Sequence, residues 1–152
     1  MTSEVAAPAV KFSPAELTEF LDKAFPQMHA LGRAYFIDEI LPGKAIVRLK
    51  AGDVHLRPGG TVSGPSLMAL VDYAAYVVLL GNMGLHALAV TTNININFLR
   101  KAEAGEMIAT CRILKGGKRL VVMDCEITRQ GSDDLIAHAT ATYSIPPASF
   151  KG

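Results

Sequence analysis

Ser63 to Gly81 reads SGPSLMALVDYAAYVVLLG, the one long apolar segment of the chain. Ser63 is a residue type that caps helix N-termini, and Pro65 falls in the first turn, where a missing N–H leaves nothing unsatisfied. Ala, Leu and Met dominate the residues after Pro65, so the stretch predicts one long helix over about 63–81. It is apolar on all sides and must therefore be covered on all sides. Its length suits a bilayer, but Asp72 at its centre and the strand-rich remainder argue against a membrane span.

Working upstream, Gly52 to Val62 reads as a loop containing Arg57-Pro58-Gly59-Gly60. Before it, Leu31–Ile40 and Lys44–Ala51 are strand-like runs joined by a turn at Leu41-Pro42-Gly43. Ser13-Pro14-Ala15-Glu16 is a capping box that opens a short helix, striped by Leu17, Phe20, Leu21 and Ala24 and ended by Pro26. Residues 1–12 read as a loose lead-in to a single domain over 13–152. Downstream, four strand candidates follow, Leu88–Leu99, Met107–Leu114, Leu120–Arg129 and Leu135–Ile145, with Gly116-Gly117 and Gly131-Ser132-Asp133-Asp134 as hairpin turns. Strands on either side of one greasy helix imply an α+β fold: an antiparallel sheet of about six strands wrapped around that helix. One curved sheet covers only part of such a helix, so a second subunit is expected.

The chain has 152 residues, of which 50% are hydrophobic and 19% charged, and a net charge of +1. That length supports one core. The charge balance argues against a nucleic-acid or acidic-membrane partner, which calls for a basic surplus. Met1-Thr2-Ser3-Glu4 is not followed by an apolar run of signal-peptide length, so a cytoplasmic setting is expected. Cys111 and Cys125 read as buried free thiols. His29, His55, His86 and His138 lack ligand spacing, so no metal is implied.

Residues 58–99 contain one charged residue, Asp72. At the chain's average of 19%, about eight would be expected there. A carboxylate midway along a hydrophobic helix must be paired or reach a cleft. Asp72 is thus a candidate general base or nucleophile, or else a buried acceptor that fixes register against a partner chain. At the helix start, Ser63-Gly64-Pro65 is either an ordinary cap or an oxyanion donor, with Gly64 allowing close approach to the backbone. Gly64 and Asp72 are roughly 12 Å apart along one helix, at about 1.5 Å per residue. Catalytic groups that serve one carbonyl must approach to about 3–3.5 Å. If both act, Gly64 of one chain must face Asp72 of another, which implies a symmetric dimer with two composite sites.

Thr91-Thr92-Asn93-Ile94-Asn95-Ile96-Asn97-Phe98 alternates. Ile94, Ile96 and Phe98 are expected on one face, with Thr91 and the three asparagines on the other, forming a polar sheet face, a subunit contact or a site array. Lys115-Gly116-Gly117-Lys118-Arg119 is a basic hairpin tip that either holds phosphates or carries solvated turn charges.

Taken together, Gly60-Thr61-Val62-Ser63-Gly64-Pro65 leading into Leu70-Val71-Asp72, then Asn95-Ile96-Asn97-Phe98-Leu99-Arg100 and Ala104-Gly105-Glu106, resemble the hotdog-fold acyl-CoA thioesterases of the phenylacetate-pathway (PaaI) type. The resemblance covers about residues 30–146. It implies hydrolysis of an acyl- or aryl-CoA thioester with no metal and no organic cofactor, in a homodimer or dimer of dimers. The Gly64 amide would polarise the thioester carbonyl, and the partner's Asp72 would activate water or attack directly. Thr91 would assist at that carboxylate, while Gly117, Lys118 and Arg119 would meet the CoA nucleotide. Ser63 and Pro65 stand where the family commonly has the histidine and second glycine of His-Gly-Gly, and Arg57 where an asparagine is usual. Arg57 is thus a candidate for substrate contact or an ion pair, and Ser63, Pro65 and Tyr76 for lining the substrate site. The alternative from another class is a catalytically weak acyl-CoA-binding module. A hydratase would pair the acid with a histidine on the long helix, and none is there.

Overall fold

The computed structural model describes residues 9–147. Of the expected lead-in, residues 1–8 lie outside the described part, as do 148–152 at the other end. Lys11 donates its backbone N–H to the Gly81 carbonyl at 2.8 Å, and Phe12 packs against the core.

The elements are α1 (Pro14–Ala24), β1 (Tyr35–Leu41), β2 (Lys44–Lys50), α2 (Gly64–Met83), β3 (Val90–Phe98), β4 (Glu106–Gly116), β5 (Leu120–Arg129) and β6 (Leu135–Ser144). The capping box forms as the sequence implies, with Ser13 and Glu16 each satisfying the other's backbone N–H. All six strands join one antiparallel sheet in the order β1-β2-β4-β5-β6-β3. The sheet wraps α2 in the hotdog manner that the resemblance implies.

Alternation sets the core. Ala45, Val47 and Leu49 on β2, Met107, Ala109 and Cys111 on β4, and Val121, Met123, Cys125 and Ile127 on β5 all turn inward and are buried. Cys111 and Cys125 sit opposite each other as free thiols. By length and composition α2 could cross a bilayer, yet most of it is enclosed by the sheet.

The helix runs past the expected end at Gly81. Asn82 stays helical, with its side-chain amide engaged at both ends: it donates to the Val78 carbonyl at 3.1 Å and accepts from the Gly43 N–H at 2.8 Å. Termination falls to Gly84, whose φ of 122° few other residues adopt. Gly81 is instead a packing glycine, since a Cβ there would lie 2.8 Å from Ile40 Cγ2. The first strand starts later than Leu31, because a 3-10 turn over Pro26–His29 and a bend at Gly32 (φ 102°) use the intervening residues.

The helix is not covered everywhere in one chain. Met68 is 42% exposed, and Val90 and Phe98 on the edge strand β3 are 57% and 50% exposed. That edge, with its unpaired backbone and apolar side chains, is where the single copy leaves α2 open.

Candidate active site

Asp72 lies two turns into α2, half-buried, and its partners come from the sheet. Thr91 on β3 donates its hydroxyl to Asp72 Oδ1 at 2.5 Å. The Tyr143 hydroxyl on β6 reaches the same Oδ1 at 2.7 Å and the Asp72 backbone carbonyl at 3.0 Å. Two donors therefore hold one carboxylate oxygen, while Oδ2 takes no hydrogen bond among the described residues. Burial, with the Asp72 carboxylate next in size, pushes the Tyr143 phenol far above its ordinary value, so it stays protonated and donates.

Thr91 reaches this site through a backbone irregularity that alternation does not reveal. Thr91 pairs with Tyr143 but Asn93 pairs with Thr142, so two steps along β3 match one along β6. This bulge at Thr92 turns Thr91 to the helix face, with Ile94, Ile96 and Phe98. The expected placement of Thr91 among the asparagines is thereby corrected. Asn93, Asn95 and Asn97 do share the outer face, opposite Thr142, Thr140 and His138.

Tyr143 was not among the residues that the sequence singled out. A signal existed: Ala137, Ala139 and Ala141 are the inward positions of β6, and the next one is a large residue with a polar tip. Tyr76 stacks on it with ring centroids 6.0 Å apart and planes 19° from parallel. The Tyr76 hydroxyl donates to the Ala87 carbonyl at 2.7 Å, which fixes the loop entering β3.

A cleft of about 410 Å³ opens in front of this cluster, lined by Asp72, Thr91, Tyr143, Tyr76, Val90 and Ala89, among others. A cleft of about 500 Å³ lies beside the start of α2 and contains Ser63, Pro65, Ser66 and His55. Here Ser63 caps the helix: its Oγ accepts from the Ser66 N–H at 3.3 Å and donates to Ser66 Oγ at 2.9 Å. The Gly64 N–H meets no acceptor among the described residues, and the Phe98 ring lies 3.4 Å from where a Gly64 Cβ would stand. Eight residues of helix separate Gly64 from Asp72, so one chain does not bring them together.

The remaining candidates line neither cleft. Arg57 is exposed in a turn that Thr61 and Gly60 close with backbone hydrogen bonds of 2.9 Å. Lys118 and Arg119 are exposed at the β4–β5 tip. Register places that tip at the Thr91 end of the sheet, because Leu120 and Val90 both pair with Ser144. At about 4.8 Å per strand, Leu120 and Val90 are roughly 10 Å apart. No group of three or more potential metal ligands occurs among the described residues.

Comparison with known proteins adds an independent line. The family model described as the thioesterase superfamily matches residues 59–136. Human acyl-coenzyme A thioesterase 13 is 29% identical over 128 residues, covering 84% of this chain and 90% of the relative. A Silicibacter crystal structure, of a protein assigned as a thioesterase, is 40% identical, with a TM-score of 0.83 over 93% of this chain and 96% of that one. A variant of the phenylacetic acid degradation protein PaaI of Thermus thermophilus is 25% identical, with a TM-score of 0.67 over 80% and 99%.

Proposed function

Because this chain belongs to the thioesterase superfamily, we propose that it hydrolyses acyl-coenzyme A, using Asp72 as general base and the Gly64 amide of a second copy as oxyanion donor. Thioester hydrolysis follows from the family. The assignment of roles rests on one observation, a carboxylate held through Oδ1 by Thr91 and Tyr143 at the mouth of an apolar cleft.

Asp72 Oδ2 takes a proton from a water, whose oxygen bonds to the thioester carbon. Charge develops on the carbonyl oxygen and is met by the Gly64 N–H, reinforced by the positive end of α2. The C–S bond then breaks, and the proton held by Asp72 passes to the coenzyme A sulfur. Water, carboxylate and amide balance this step without a metal or organic cofactor.

The helix rise keeps Gly64 and Asp72 of one chain apart, so the site is completed across a twofold axis, between α2 helices packed antiparallel. The exposed Met68, Val90 and Phe98 give that second copy an apolar seat. A dimer with two such sites is the working unit, and two dimers form the assembly. Lys118 and Arg119 reach the coenzyme A phosphates from the same end of the sheet. The test is Asp72→Asn, which keeps shape and hydrogen bonding while removing the base. Its kcat on acyl-CoA should fall by about 10²–10⁴ with the fold intact; undiminished turnover overturns the assignment.

A further inference from the structure

The 410 Å³ and 500 Å³ clefts have a neighbour in common. Between them lies a chamber of about 100 Å³ walled by Phe25, Met28, Ala69, Asp72, Tyr73, Tyr76 and Tyr143. It shares Asp72, Tyr76 and Tyr143 with the first cleft and Met28 and Ala69 with the second. The helical positions that border these spaces, Pro65, Ala69, Asp72 and Tyr76, repeat at four, three and four residues, which is one stripe of α2. The three spaces thus border one stripe of α2 over roughly 16 Å, at about 1.5 Å per residue.

Phe25 alone borders all three spaces. Its position is written locally. Pro26 disfavours helical backbone at the residue before it, and Phe25 closes α1 with φ −138° and ψ 57°. From there its ring meets Tyr76 edge-on, at 6.3 Å between centroids. The same chamber is walled by Ala69, which has little bulk, and Met28, whose side chain adapts easily.

We propose that the three spaces form one groove, that it is the acyl subsite, and that Phe25 is its selectivity residue, passing an unbranched aliphatic chain and stopping a ring. A site that holds benzene has a volume of about 150 Å³, whereas the chamber offers about 100 Å³. An aromatic acyl group short enough to end in the 410 Å³ cleft avoids the passage. One that carries its ring further must push Phe25 aside. A linear chain threads beneath Phe25, past Ala69, into the apolar space beside Leu31, Tyr35 and Val54.

This inference rests on the thioesterase reading for its turnover test, and a binding test separates the two. Dodecanoyl-CoA and 6-phenylhexanoyl-CoA place a chain and a ring at the same depth. The native protein should favour the linear substrate by about tenfold or more in kcat/KM. Phe25→Ala should collapse that ratio toward one, with Phe25→Leu between, as a variant that keeps an apolar side chain at the end of α1. Ala69→Phe should lower the dodecanoyl-to-butanoyl ratio by about tenfold. Calorimetric binding of the matching S-alkyl-CoA thioethers, which cannot be hydrolysed, should show the same ratios. Thioether ratios that follow Phe25 without any turnover keep the groove and overturn the hydrolysis reading. Ratios that Phe25→Ala and Ala69→Phe both leave unchanged in folded protein, or no thioether binding, overturn the groove.

Discussion

The Tyr143 hydroxyl stands 2.7 Å from Oδ1 of Asp72, although 71 residues separate the two in the chain. Thr91 reaches the same oxygen from a third element. A carboxylate held at one oxygen keeps its other oxygen aimed, and aim is what a base must have when water and thioester are positioned to a few tenths of an ångström.

Tyr143→Phe should act on chemistry more than on binding. It removes one donor from Oδ1 and leaves the stacked ring, so kcat should fall by about tenfold or more while KM changes little. Loss of the hydrogen bond should lower unfolding stability by about 1 kcal/mol. A parallel loss in KM would assign the phenol to substrate binding instead. Thr91→Val removes the other donor at nearly constant shape and should produce the same kcat-selective loss.

The proposed sharing of each site between two chains makes a complementation experiment decisive. Gly64→Pro removes the amide proton at a helix position that accepts proline. Both Gly64→Pro and Asp72→Asn homodimers should be inactive. Refolded together in equal amounts, they should recover about a quarter of native activity, because half of the dimers are hybrids with one intact site. If no activity returns although hybrids form, the two groups do not meet across the twofold.

At the basic tip, alanine at Lys118 and Arg119 should raise KM for acyl-CoA by about tenfold at low salt. The same variants should not affect a thioester truncated at pantetheine, which lacks the nucleotide. Gly117 has a different role. A Cβ there would lie 2.7 Å from the Leu120 carbonyl, so Gly117→Ala should distort the tip and act on stability as well as KM.

Gly81→Ala tests packing against helix propensity. Alanine is about 1 kcal/mol better than glycine inside a helix, but its Cβ would press on Ile40 at 2.8 Å. Overpacking costs about 1–3 kcal/mol, so the net change in denaturant unfolding should be destabilising. Adding Ile40→Ala should relieve the clash, and the double variant should lose less than the two single losses combined.

All four tyrosines, Tyr35, Tyr73, Tyr76 and Tyr143, have pKa values raised mainly by burial, with Tyr73 pushed up to about 12. A raised folded pKa contributes stability in full below the unfolded value near 10, and that contribution is lost as pH climbs toward the folded value. Each phenol removes up to about 1.4 kcal/mol per pH unit over that window. The protein should therefore lose stability steeply above about pH 10. The tyrosinate absorbance band should appear together with unfolding; a tyrosine that ionises well before unfolding would contradict this.

The alkaline window is a property of packing, and the same division runs through the molecule. The chain's own letters identified α2, its Ser63 cap, the six strands and the basic tip, because each is signalled by local spacing or a nearby turn residue. They also identified Asp72, since one charge in an otherwise uncharged run stands out without coordinates. They placed the end of α2 near Gly81 but not the reason that residue is small, which is Ile40, brought near only by the packed sheet.

What carried no local mark was everything that required one strand to be laid against another. Thr91 faces Asp72 only because a residue is squeezed out of register at Thr92, and register is set by pairing with β6. Tyr143 joins Asp72, and Phe25 borders three neighbouring spaces, only once β6 and α1 have packed against α2. Periodicity and composition act over a few residues, so they settled which elements form and which carboxylate to watch. Hydrogen bonds and cavity walls join residues far apart in sequence, so the holder of that carboxylate and the shape of the space before it were decided by the tertiary fold.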